Sequence, residues 1–156
     1  MKNLKNIKNI NIKNKKATFE YTLLDNYVAG ICLLGSEIKS IREGKASLID
    51  SFCSFTGNEL FLVNSFINEY KFSNQFNHEP KRPRKLLLKK KELKKIQSKI
   101  TEKGLTIVPL NMFINKEGFC KVSISIAKGK KLHDKKDSIK EKDIKRDTDR
   151  ELAKYK

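Results

Sequence analysis

"GFCKVSISIAKG" (Gly118–Gly129) decides how this chain is read. Cys120, Val122, Ile124 and Ile126 alternate with Lys121, Ser123 and Ser125, a period of two that turns successive side chains to opposite faces of a sheet. One face is apolar and the other polar, as in an antiparallel strand with its inner side on a core. Just upstream, "LTIVPLNMFI" (Leu105–Ile114) reads as its partner, joined through the turn Asn115-Lys116-Glu117-Gly118. Farther out, "IDSFCSF" (Ile49–Phe55) and "ELFLVNSFI" (Glu59–Ile67) flank Thr56-Gly57-Asn58, which is hairpin chemistry. Phe19, Tyr21 and Leu23 alternate as a half-buried strand would, Asp25-Asn26 supplies a turn, and "YVAGICLLG" (Tyr27–Gly35) follows as a mostly buried strand. Two helices are expected. Ser36–Gly44 has Ser36 as N-cap, Ile38 and Ile41 facing inward, and Lys39 and Arg42 facing outward; Lys89–Lys103 has Leu93, Ile96 and Ile100 on one stripe and Gly104 as its stop. About six short strands with two helices predict a mainly β fold, a small antiparallel barrel with flanking short helices. The oligonucleotide-binding fold is one barrel of this kind.

The chain has 156 residues and a net charge of +17, from 35 basic and 18 acidic groups. The excess is concentrated. Met1–Lys16 carries six lysines and no acid, and Lys81–Lys99 carries ten basic residues against Glu92 alone. Such fields favour polyanions, nucleic acid first among them. Residues 1–16 read as a flexible basic arm, 17–128 as the barrel, and 129–156 as a tail. The tail has few apolar groups, and the entropy of ordering it, roughly 1–2 kcal/mol per residue, has little burial to offset it. Written as a helix, Lys142, Arg146, Arg150 and Lys154 form one ridge at intervals of four, beside Asp143, Asp147 and Glu151. A tail disordered when free and helical when docked fits that pattern. Cys32, Cys53 and Cys120 lack ligand or disulfide spacing and are expected to be buried thiols. No apolar run reaches the length of a membrane span, and a cytoplasmic protein without cofactor or metal is expected.

Catalytic chemistry finds no constellation. His78 and His133 are the only histidines, and neither has triad or zinc-site spacing. His78-Glu79 offers two metal ligands of a nuclease, but nothing local supplies a third. Binding chemistry is richer. In the long loop Asn68–Lys85, Lys81, Arg82, Arg84 and Lys85 surround Pro83 and can grip phosphates. Phe72, Phe76 and His78 lie just upstream and could stack on unpaired bases, or the phenylalanines could cover the barrel's open end.

Several blocks, in order, resemble one family. They are "NKKA" (Asn14–Ala17), "AGICLLGSEIKSIREGKASLIDSF" (Ala29–Phe52), "NHEPKRPRKLLL" (Asn77–Leu88), "KGLTIVPLNMF" (Lys103–Phe113) and "KVSISIAKGKKLHDKKDSIKEKD" (Lys121–Asp143). Together they are similar to the SsrA-binding protein (SmpB) family, the partner of transfer-messenger RNA in ribosome rescue. The resemblance implies an oligonucleotide-binding-like barrel that binds the tRNA-like domain of that RNA and stands where an anticodon arm would be. It also implies a tail that becomes helical in the empty mRNA channel of a stalled ribosome. Leu87 and Lys121 match family positions implicated in RNA binding, although Leu87 reads equally as a plain core leucine. His133, Asp134, Lys135 and Lys136 match the tail motif at the decoding centre. The chain departs from the family at Val28, where Glu is common, at Lys136, where Arg is usual, and at Ile144, where an aromatic residue is common.

The expected RNA contacts are therefore Lys39, Arg42, Lys45, Arg84, Lys85, Leu87 and Lys121. The expected ribosome contacts are His133 to Lys136 with Lys142, Arg146, Arg150 and Lys154. Elongation factor Tu is a partner, through the RNA complex, by resemblance alone. The expected function is a non-enzymatic adaptor delivering transfer-messenger RNA to stalled ribosomes. The rival reading is a structural ribosomal-type RNA-binding protein.

Overall fold

A computed structural model describes residues 9–73, 77–101 and 104–154. In chain order its elements are β1 (Asn11–Lys13), α1 (Lys15–Glu20), β2 (Tyr21–Ile31), α2 (Gly35–Arg42), β3 (Ala46–Ser47), β4 (Phe52–Thr56) and β5 (Glu59–Val63). There follow β6 (Phe66–Ile67), β7 (Arg84–Leu87), α3 (Lys90–Ile100), β8 (Leu105–Ile114), β9 (Cys120–Gly129) and α4 (Leu132–Lys154). Six strands close a ring in the order β8-β4-β5-β7-β2-β9, with β9 returning to β8. Every pairing in it is antiparallel. Closure removes the unpaired edges that an open sheet would present. The mainly β barrel with short flanking helices is the fold read from the alternation.

The apolar face of β9 makes the barrel's floor. Val122, Ile124 and Ile126 are buried with Ile107 and Met112 of β8, Leu60 and Leu62 of β5, and Leu86 of β7. Each such side chain contributes roughly 1.5–3 kcal/mol by leaving water. Ile96 of α3, with Leu93 and Ile100 beside it, and Ile41 of α2 close the rest of this core. Cys53 and Cys120 are buried within it, and burial pushes the Cys120 thiol up to about 12. Cys32 departs from the expectation of a buried thiol and is exposed.

The N-terminal third departs from the sequence reading in three ways. Lys15–Glu20 is a helix, so β2 starts only at Tyr21. Asp25-Asn26 lies inside β2 rather than in a turn, because β2 pairs with β9 from Tyr21 to Gly30 and takes up the polar pair at a register shift between Leu23 and Asp25. The arm, expected to reach residue 16, gives way to β1 by Asn11. Asn11, Ile12 and Lys13 pair with Phe113, Met112 and Asn111 of β8. Asn14 is buried, with its amide N–H and side-chain Nδ2 donating to Leu110 O and Pro109 O at 2.8 and 2.9 Å. Backbone pairing holds this segment, and its lysine-rich composition conceals that. Residues 1–8 of the arm lie outside the described residues.

Two further differences concern the middle of the chain. Ser36 is not the cap of α2: Leu34 holds that position, and its N–H donates to the Glu37 carboxylate at 2.8 Å. The long loop also ends earlier than expected, because Arg84–Leu87 is a strand that closes the ring between β5 and β2.

Candidate nucleic-acid interface

β7, β2 and β9 run side by side, and their register puts Leu87, Gly30 and Lys121 in one row across three strands. Residues in register share a face. With strands about 4.8 Å apart, Leu87 and Lys121 stand about 10 Å apart over a notch floored by glycine backbone. A Cβ on Gly30 would meet Leu87 Cβ at 3.3 Å, so a side chain there would crowd the leucine as well as fill the notch. Leu87 is 50% exposed, which removes the core-leucine reading and leaves it on the outer surface. Two residues along β2, Val28 is 58% exposed opposite Ser123. The outer face thus offers apolar contact beside a lysine with no carboxylate partner among the described residues. Lys85, two residues from Leu87 and facing Phe61, joins the same face and bonds the Glu59 carboxylate at 3.0 Å.

α2 and its end carry further cations. Lys39 and Arg42 are exposed, as is Lys45 just beyond the helix. Lys39 Nζ lies 5.4 Å from the centre of the Tyr70 ring, and Lys45 pairs with Glu43 at 3.2 Å. Arg42 lines a shallow groove with Phe119 and Cys120, the residues leading into Lys121.

Arg84 does not belong to this surface. It is fully buried, and the alternation of β7 explains why: Arg84 and Leu86 point inward while Lys85 and Leu87 point outward. Its guanidinium is satisfied on all sides. Nε donates to the Glu37 carboxylate, Nη1 donates to Ser65 O and Oγ at 3.0 Å each, and Nη2 donates to Pro80 O at 3.1 Å. Glu37, also fully buried, accepts a second cation, Arg82 Nη2, at 2.5 Å. Burial opposes the charged form of Glu37, but the Leu34 N–H and the two arginines outweigh it and hold the carboxyl below its ordinary range. Arg84 therefore ties α2, β7 and the 65–83 loop together and lies away from the outer face.

His78 is also withdrawn from the expected stacking surface. It is buried between Ile67 O, 2.9 Å from Nε2, and Ser36 Oγ, 2.8 Å from Nδ1. A carbonyl can only accept, so Nε2 carries a proton. Phe72 does remain exposed, edge-on to Tyr70 at 5.7 Å, whereas Phe76 lies outside the described residues. Among the described residues no cluster of His, Cys, Asp and Glu could hold a metal, and no helix is long and apolar enough to cross a membrane.

In the tail, α4 carries its backbone as one helix, with Lys136, Lys142, Arg146 and Arg150 exposed. Lys142 Nζ sits 5.9 Å from the Phe19 ring of α1. The side chains of His133, Asp134, Lys135 and Lys154 lie outside the described ones. Glu37, Gly30 and the exposure of Val28 escaped the sequence reading. The sequence pattern of this helix singles out only Ile38 and Ile41 as inward, and the burial of Glu37 is what reveals its role.

The sequence profile of the SmpB protein family matches residues 11–154. The chain belongs to the SmpB protein family. It is 56% identical over 144 residues to the SsrA-binding protein of Flavobacterium johnsoniae, covering 92% of this chain and 95% of that one. The SsrA-binding protein of Rickettsia africae is 54% identical over 143 residues, 92% of this chain and 94% of the relative. Among solved structures, a chain of "tmRNA-SmpB: a journey to the center of the bacterial ribosome" superposes with a TM-score of 0.67 at 42% identity, covering 79% of this chain and 86% of that chain. The barrel described above is thus the fold of the SmpB family.

Proposed function

We propose that this chain is an RNA-binding adaptor that holds transfer-messenger RNA on its barrel and brings it to stalled ribosomes for trans-translation. The observation that carries this reading is the row Leu87–Gly30–Lys121 on the outer face of an SmpB-family barrel. An exposed leucine, a glycine notch and a lysine together supply shape and charge for an RNA backbone, with Lys39, Arg42, Lys45 and Lys85 adding field. Relatives at 54–56% identity over nearly their whole length are SsrA-binding proteins, and the solved neighbour is a tmRNA–SmpB structure. In this reading the protein acts by binding rather than catalysis, works in the cytoplasm, and meets elongation factor Tu through the RNA complex.

The tail does the second half of the work. Its helix has exposed Ile139 and Ile144 and little to bury, so packing contributes little to holding it. Lys142, Arg146, Arg150 and Lys154 form the ridge that ribosomal RNA orders in the mRNA channel, with His133, Asp134, Lys135 and Lys136 at the decoding centre. The test is binding of the purified protein to its own transfer-messenger RNA against an unrelated structured RNA of equal length at physiological salt. A preference of about a hundredfold, roughly 2.7 kcal/mol, is expected. Equal binding to both would reduce the affinity to net charge. Deleting residues 129–156 should leave that preference nearly intact and abolish peptide tagging.

A further inference from the structure

Phe119 stands just ahead of β9, two residues before Lys121, and it is 65% exposed. A phenylalanine left in water forgoes its burial energy. This one is also held still. Asn115 N–H donates to Phe119 O at 2.9 Å, and Phe119 N–H donates to Asn115 Oδ1 at 2.8 Å. Asn115 Oδ1 also takes the Glu117 N–H at 3.1 Å, and Gly118 supplies the left-handed turn at φ +89°. The ring therefore stands on a fixed backbone rather than on a loose loop tip.

Beside it runs a groove of about 310 Å³ lined by Phe119, Ile31, Leu34, Ile38 and Arg42. Leu34 is half exposed, and Arg42 has no carboxylate partner among the described residues. The chemistry is that of a nucleotide with its base turned out of a stack: an aromatic platform, apolar walls, and a guanidinium at the rim for phosphate. The groove opens where Phe119 and Cys120 lead into β9, at the end of the strand that carries Lys121. We infer that this groove takes an unpaired base of the bound RNA, stacked on Phe119 with Arg42 on its phosphate. The inference rests on the RNA-binding reading above and adds the base-accepting subsite.

The chain contains no tryptophan, so Phe119→Trp introduces a single fluorescent reporter at the site. Three proteins are compared, wild type, Phe119→Ala and Phe119→Trp, each against transfer-messenger RNA and against isolated ribosomes over a range of salt. Phe119→Ala is expected to bind on the order of tenfold more weakly to one of the two RNAs, which identifies the source of the base. Its dependence on salt should keep the wild-type slope, because stacking releases no counterions. Phe119→Trp should restore affinity, with emission quenched as RNA is added. Wild-type affinity of Phe119→Ala for both RNAs overturns the inference, as does a loss accompanied by a flatter salt slope. Failure of wild type itself to prefer its own RNA would instead overturn the underlying functional reading, and the subsite with it.

Discussion

Arg84 and Leu87 stand three residues apart on β7 and have opposite surroundings. Arg84 is charged and fully buried, while Leu87 is apolar and half exposed. Arg84 spends its charge inside the protein, where Glu37, Ser65 and the Pro80 carbonyl satisfy it. Leu87 presents its side chain to the outside beside Gly30 and Lys121. The lesson is that charge in this chain does two separable jobs. One set of cations fixes the geometry of the loop and helix around the face, and another set is left on the surface. Net charge alone cannot tell the two apart.

The sharpest way to break that distinction is to remove the buried cation. Arg84→Met should cost about 3–5 kcal/mol, because Glu37 is left buried with only Arg82 beside it. A urea unfolding curve measures this, and wild-type stability would end the claim that Arg84 is structural.

A smaller effect comes from pH. The folded-state value of Glu37 lies below its ordinary value of about 4.3. Its stabilisation is therefore complete above that ordinary value and is lost as pH falls through the depressed folded one. The gap in urea midpoint between wild type and Glu37→Gln should be widest near neutral pH and narrow below about pH 4. A gap independent of pH would mean that the variant acts through packing rather than charge.

Smallest in stability, and most telling for function, is Leu87→Ala. Its melting should stay within about 0.5 kcal/mol of wild type, as for an ordinary surface change, while affinity for transfer-messenger RNA falls. Destabilisation without loss of affinity would return Leu87 to the core and dissolve the contrast with Arg84.

Much of the barrel was legible because two signals agree. The alternation through Lys121–Ser125 and the turn at Asn115–Gly118 both require a hairpin, and β8 and β9 form it. Lys121 was readable as outward for the same reason. Strand β7 was not legible. Four residues in a proline-rich basic run look like loop, and their strand character comes from β5 and β2 on either side. The same shortness reversed Arg84, since a four-residue strand carries no periodicity to say which face is inner. Asn11–Lys13 hid in low-complexity sequence, and only pairing with β8 reveals it. Phe119 was legible in principle, because it shares parity with Lys121, but its exposure is a property of the assembled groove.

What the sequence determined by itself was the class of molecule: a basic chain, an antiparallel barrel, and blocks that mark the SmpB family. Periodicity, turn chemistry and charge are local, so they survive without a fold. Which polar groups are used inside and which outside followed from the assembled fold. Burial depends on neighbours far apart in sequence. Glu37 meets Arg84 across 47 residues, and Gly30 brings Leu87 and Lys121 together only because three strands lie in register.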